Sequence, residues 1–309
     1  MPLTPFNRAH HRFAMFMACA TFLLIVAGAL VTSNDAGLSV PDWPTSFGSL
    51  VRMPRMVGGV KFEHGHRMTA EFIGLLTIIL AIWTWRTDRR PWMRKLGLGA
   101  LAIVIFQGIL GGLTVLTFLP PLVSSAHALL GQSFFCLAVA IAMFTGRRWV
   151  GEQPQIHFDP HRPSLPPLAW GLVGAVCLQL FLGAMFRHHG LSLTPHLIMA
   201  GGVSMLALWT VIRALTQYPQ VSSVRNPAIL LLAMLVAQLA LGFTAYLTRV
   251  VWNPYDTPPT SAMVISTVAH VSLGALLLAT AVVLAIQASR NVAASPAEYA
   301  GRTREAATA

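Results

Sequence analysis

Apolar residues in this chain gather into eight long runs, at about 13–32, 67–85, 97–119, 122–145, 167–186, 194–216, 226–247 and 261–287, separated by polar or Pro/Gly-rich stretches. A helix needs about 20 apolar residues to cross roughly 30 Å of hydrocarbon, and each run approaches or exceeds that length. Inside a bilayer a lone segment satisfies its backbone polar groups only as a helix. The pattern therefore predicts an all-α polytopic membrane protein with eight transmembrane helices.

Composition agrees with the pattern. Of 309 residues, 55% are hydrophobic and 10% charged, too little polar surface to coat a soluble globule of this size. The formal charge of +11 raises nucleic acid as a partner, but the basic residues are distributed by topology. With a cytoplasmic N-terminus, the inner side collects Arg8, Arg12, Arg86, Arg89, Arg90, Arg94, Lys95, Arg147, Arg148, Arg162, Arg213, Arg225, Arg290, Arg302 and Arg304, which is 15 of the 21 Lys and Arg. The positive-inside rule then puts both termini in the cytoplasm and the chain in the cytoplasmic (inner) membrane. The lipid bilayer is the partner implied, and nucleic acid is not. The first run reads as an uncleaved helix, since it is longer than a signal core and no small-residue cleavage site follows it. Cys19, Cys136 and Cys177 all fall within spans and form no disulfide framework.

An internal repeat organises the helices. Gln107-Gly-Ile-Leu-Gly111 in the third span recurs as Gln179-Leu-Phe-Leu-Gly183 in the fifth and Gln238-Leu-Ala-Leu-Gly242 in the seventh, with a faded copy, Val26-Ala-Gly28, in the first. The chain reads as two pseudo-symmetric four-helix bundles, residues 1–146 and 167–288. A Pro-rich cytoplasmic linker at 147–166 joins them, and a polar tail follows at 289–309.

Four histidines, His66, His127, His196 and His270, lie in the even-numbered spans, at or near the outer ends. An imidazole in a membrane span is costly without a partner, so four at matching depth call for one explanation. Haem supplies it: two facing imidazoles can ligate one iron, and helix bundles build such sites from inward-facing side chains. The residues four positions on, Ala70, Gly131, Ala200 and Gly274, share the histidines' helical faces and are small, which leaves room for a flat macrocycle. Ordinary small-residue helix packing is the alternative.

Glu63 stands three residues before His66 and so on the same helical face; no other of these histidines has an acid placed this way. It is read either as an interfacial partner of Arg67 or Lys61, or as a carboxylate that steers protons or stabilises charge at the substrate. His10, His11, His157 and His161 read as solvated flank and linker residues. His64, His188 and His189 border the outer ends of spans, at the mouth of a site.

The string Gly37-Leu-Ser-Val-Pro-Asp-Trp-Pro44, the Glu63-x-x-His66-Arg67 motif, the three later histidines and the Gln-x-x-Leu-Gly hairpins together resemble the haem A synthase family over about residues 10–288. That resemblance implies oxidation of the C8 methyl of haem O to a formyl group by successive hydroxylations. It implies a substrate haem between His66 and His127 with Glu63 nearby as catalytic residues, and a haem b cofactor between His196 and His270. Arg67, Arg187 and Arg249, toward the outer face, are candidates to bind haem propionates. Partners implied are haem O, the prenyltransferase that forms it, and an electron acceptor or donor; a homo-oligomer is open. One departure stands out: residues 33–65 contain none of the cysteines that many members carry in this loop.

Two routes fit bis-histidine ligation of the substrate haem: either one ligand leaves, or electrons are removed and water attacks. Two other functions are weighed against the synthase. A di-haem b-type electron-transfer or quinone-reducing subunit also needs four membrane histidines, but places its haems at different depths. A transporter built from repeats calls for mid-membrane acids, and Glu71 is a weak candidate for one.

Overall fold

The computed structural model describes residues 5–252, 258–296 and 300–301; Arg302 and Arg304 lie outside the described residues. Among the described residues, eight helices are long and apolar enough to cross a membrane. They are α1 (Arg8–Ser33), α2 (Val60–Thr87), α3 (Pro91–Leu116), α4 (Pro121–Phe144), α6 (Leu165–Arg187), α7 (Thr194–Gln217), α8 (Ser222–Tyr246) and α9 (Ser261–Asn291), with a short α5 (Arg147–Gly151) between α4 and α6. A π-helical turn, Leu247–Val251, extends α8.

Most helices are longer than the apolar runs. α2 begins at Val60 rather than 67, α1 at Arg8 rather than 13, and α3 at Pro91 rather than 97. Hydropathy registers only the lipid-facing length, whereas helical hydrogen bonding continues through polar flanks whose long side chains reach the interface. Local signals set the actual ends. The Asn7 side chain accepts from the His10 amide at 3.0 Å, and Thr260 accepts from the Met263 amide at 3.3 Å, both capping orphan N–H groups. Prolines occupy the first turns of α3, α4, α6 and α7, where the missing N–H costs nothing.

α1 packs on α2 and α4, and α3 closes that ring between α2 and α4; α6 packs on α7 and α9, and α8 closes a second ring between α7 and α9. The rings meet where α1 and α4 touch α9 and where α4 touches α6. One apolar cluster, with Met17, Ile73, Leu80, Met93 and Ile141, fills the first ring. The second, with Leu172, Val211, Leu231 and Leu284, fills the other. Outward positions such as Leu23, Ile198, Met205 and Phe243 are exposed, as expected of a surface whose solvent is lipid. α9 lies deepest, and its Ala275, Ala281, Ala285 and Ala288 have no exposed surface; small residues of this kind let membrane helices approach closely.

Two readings of the polar flanks change. His10 is not solvated: it lies inside α1, 3% exposed, stacked on Trp83 with Nε2 3.0 Å from the Thr84 hydroxyl. The linker and the start of the tail are docked rather than loose. His157–Phe158 pairs in parallel with Val292–Ala293, directly after α9. Asp159 accepts from the Leu165 amide at 2.8 Å and binds Arg213 at 3.0 Å and His161 at 2.8 Å. Burial pushes the Asp159 carboxyl up, but the donors of His161, Leu165 and Tyr218 outweigh it and hold the group below its ordinary value. A buried carboxylate with that many donors pins the linker to α6 and α7.

Candidate functional site

The four span histidines come together as two pairs. His66 of α2 faces His127 of α4 with ring centroids 6.5 Å apart and planes at 87°. His196 of α7 faces His270 of α9 at 6.4 Å and 82°. Metal–imidazole nitrogen bonds run about 2.0–2.1 Å. Two imidazoles on opposite sides of one iron, with the ring radii added, therefore stand with centroids roughly 6 Å apart. Both pairs have the separation that bis-histidine ligation of one iron requires, with the ring planes close to perpendicular.

The glycines of the repeat explain how each ring is held. A Cβ on Gly111 would stand 3.1 Å from Cε1 of His127, one on Gly183 2.8 Å from Cε1 of His196, one on Gly242 3.0 Å from Cε1 of His270, and one on Gly28 3.1 Å from Cε1 of His66. Each of α1, α3, α6 and α8 thus offers a groove that any larger residue would fill, and an imidazole of the following helix lies in it. Nδ1 of His196 contacts the Gln179 carbonyl at 3.2 Å. Nδ1 of His66, His127 and His270 is buried without a hydrogen-bond partner. An acceptor at Nδ1 favours the tautomer that leaves Nε2 free as a ligand.

The glutamines of the repeat act on the same residues from the backbone side. Nε2 of Gln107 donates to the His127 carbonyl at 2.7 Å, that of Gln179 to His196 at 3.0 Å, and that of Gln238 to His270 at 3.1 Å. The Gln179 amide also lies 3.4 Å from Nε2 of His196. This corrects the reading of two small residues. A Cβ on Gly131 would stand 2.9 Å from Gln107 Nε2, and one on Gly274 3.2 Å from Gln238 Nε2, so these glycines admit the glutamine rather than a macrocycle. The repeat itself is visible in the sequence, but its bonding role is not.

Residues 34–59 form a roof over the first ring. Asp42 accepts from the Phe47 and Gly48 amides at 2.7 and 2.8 Å and from the Thr45 hydroxyl. Slight burial pushes its carboxyl up, but the donors from Thr45, Gly48 and Phe47 outweigh that and hold it at about 2. Trp43 reaches α3, where a Cβ on Gly112 would come within 2.4 Å of its ring. His64, expected at a site mouth, contacts Ser46 Oγ of the roof through Nδ1 at 3.1 Å.

Glu63 and Arg67 tie this roof to α2. Glu63, 4% exposed, accepts from the Val40 amide at 2.8 Å and from Arg67 at 2.6 Å. Arg67 also donates to the carbonyls of Asp42 at 2.6 Å, Thr45 at 3.1 Å and Val40 at 3.0 Å. Four of its five N–H groups are thereby engaged, so Arg67 has no fork left for a propionate. Arg187 donates to Ser33 Oγ at 2.7 Å, and Ser33 contacts Thr267 at 3.0 Å, joining α6, α1 and α9 at the histidine end. Arg249, in the π-helical turn, lies 3.2 Å from the Met263 sulfur. His188, just past α6, is pushed down to about 4 by burial and by Arg187, His189 and His127, so it is neutral at physiological pH. The loop after α6 reaches the start of α4, where a Cβ on Gly190 would stand 2.8 Å from Cβ of Pro121. The cysteines at 19, 136 and 177 are free thiols.

A family model described as cytochrome oxidase assembly protein matches residues 60–194. A haem A synthase of Symbiobacterium thermophilum is 31% identical over 251 residues, 71% of this chain and 80% of that protein. Those of Shouchella clausii and Shewanella oneidensis are each 29% identical, over 151 and 180 residues, and the matched segments span about half of each relative, 49% and 52%.

Proposed function

The chain belongs to the cytochrome oxidase assembly protein family that holds these haem A synthases, and from that premise we propose that it oxidises the C8 methyl of haem O to a formyl group. One observation carries the reading: four membrane histidines meet as two pairs, each at the separation that one iron between two imidazoles requires. His66 and His127 hold the substrate haem, and His196 and His270 hold haem b. The haem iron, when bound, supplies the redox chemistry of methyl C–H oxidation.

The chain's own residues position and seal. The glycine grooves orient the imidazoles, and the roof of residues 34–59 keeps water from the substrate site. Glu63, three residues before His66, places a carboxylate paired with Arg67 on the helical face of the first pair, where positive charge develops on substrate. Arg187 and Arg249 stand at the histidine end as propionate partners for the second haem. Arg67 holds the roof. Pigment extracted from the purified protein tests the reading: haem O or haem A is expected alongside haem b. Haem b as the sole pigment, under conditions where the cell makes haem O, would overturn it.

The orientation in this proposal keeps both termini in the cytoplasm and the histidine ends outside, on the bias of Lys and Arg to the other end. Val51, 95% exposed in the roof, and Trp92, 40% exposed at the opposite end, are suitable for single cysteine substitution. An impermeant thiol reagent added outside the cell is expected to label position 51 and spare position 92. The reverse pattern inverts the topology.

A further inference from the structure

The three glutamine bonds leave one histidine out. Four residues before each groove glycine stand Gln107, Gln179 and Gln238, but the matching residue before Gly28 is Leu24. The groove is otherwise equivalent: the Gly28 position meets Cε1 of His66 at 3.1 Å, as Gly111 meets that of His127. Among the described residues no side-chain donor reaches the His66 carbonyl, whereas those of His127, His196 and His270 each receive one. The glutamines keep these bonds although each leaves its Oε1 buried without a partner. Such an unpaired acceptor is destabilising, so folding alone gives no reason for three of them.

A carboxamide bonded to the backbone of a ligand residue locks the two helices in register at the level of the ligand, and outer partners of this kind commonly carry 10–100-fold in metal affinity. We propose that Gln107, Gln179 and Gln238 are positioning latches that make three histidines permanent ligands, and that latch-free His66 is the ligand that yields when substrate haem enters and product haem leaves. This rests on the reading that the histidine pairs hold haem. The pair His196 and His270, latched on both sides, suits a retained cofactor. The pair His66 and His127, latched on one side, suits a haem exchanged at every turnover. The asymmetry thus distinguishes the two sites on physical grounds, independently of any relative.

Carbon monoxide binds a reduced bis-histidine haem only as one imidazole leaves, so its binding rate to the dithionite-reduced, purified holoprotein reads ligand lability directly. The wild-type protein is expected to react in a fast phase from the first pair and a slow phase from the second. Leu24→Gln should slow the fast phase about tenfold, and Gln238→Leu should speed the slow phase about tenfold. A phase that stays within twofold of wild type in the corresponding variant overturns the latch. Should Leu24→Gln fail to insert, Gln238→Leu decides alone. Absence of any low-spin bis-histidine signal from the oxidised wild-type protein would instead remove the haem reading beneath it, a result separate from the variant rates.

Discussion

Replacing His196 or His270 by leucine is expected to abolish the low-spin haem b spectrum and haem A formation with it. In the proposed function each imidazole is one of two ligands; it lies 6.4 Å from its partner ring, in a groove shaped by a glycine. A leucine fills the groove without offering a donor, and a membrane interior provides no replacement ligand. Loss of an outer partner to a metal ligand commonly costs 10–100-fold in affinity; loss of the ligand itself should exceed that and leave the second site empty of haem b. Low-temperature optical and paramagnetic resonance spectra of both variants provide the check. A normal low-spin haem b signal in both would show that the second pair does not bind the cofactor.

Glu63→Gln should lower haem A formation by a few hundredfold, about 3–4 kcal/mol for a lost transition-state contact, while haem b content stays near that of wild type. The structure adds a competing cause that the motif alone does not reveal. Glutamine can still accept from the Val40 amide, but it cannot balance Arg67, and removing one partner of a buried ion pair typically costs about 3–5 kcal/mol. The two causes are of equal size, so a second variant separates them. Glu63→Gln combined with Arg67→Gln removes both charges while leaving a side-chain amide at position 67 that can still donate to the roof carbonyls. If Glu63 acts on the substrate, the double variant remains as inactive as the single one. Recovery of activity in the double variant would reassign Glu63 to anchoring the roof, and loss of all bound haem in Glu63→Gln would reassign it to structure.

Much of the architecture is legible from the chain alone. Hydropathy locates all eight spans because the bilayer imposes the same requirement on every one: about 20 apolar residues with backbone groups satisfied locally. Helix ends are less legible, since α1, α2 and α3 run on into polar flanks that the lipid does not select. The histidines stand out because an imidazole is costly in hydrocarbon, and the glutamine–glycine repeat stands out because it recurs with one spacing.

The sequence by itself determined which residues share a helical face, since that follows from 3.6 residues per turn and nothing else. It therefore set Glu63 beside His66, and each repeat glutamine one turn from its glycine. Only the tertiary structure decided what those faces meet. It brought Gly111 and Gln107 to His127, gave Gly131 to the glutamine rather than to a macrocycle, buried His10 against Trp83, and bound Arg67 to three roof carbonyls. The physical reason is that a contact between helices depends on the rotation and axial offset of both partners. Those quantities are set by packing across the whole bundle, and they leave no mark in the local periodicity of either helix.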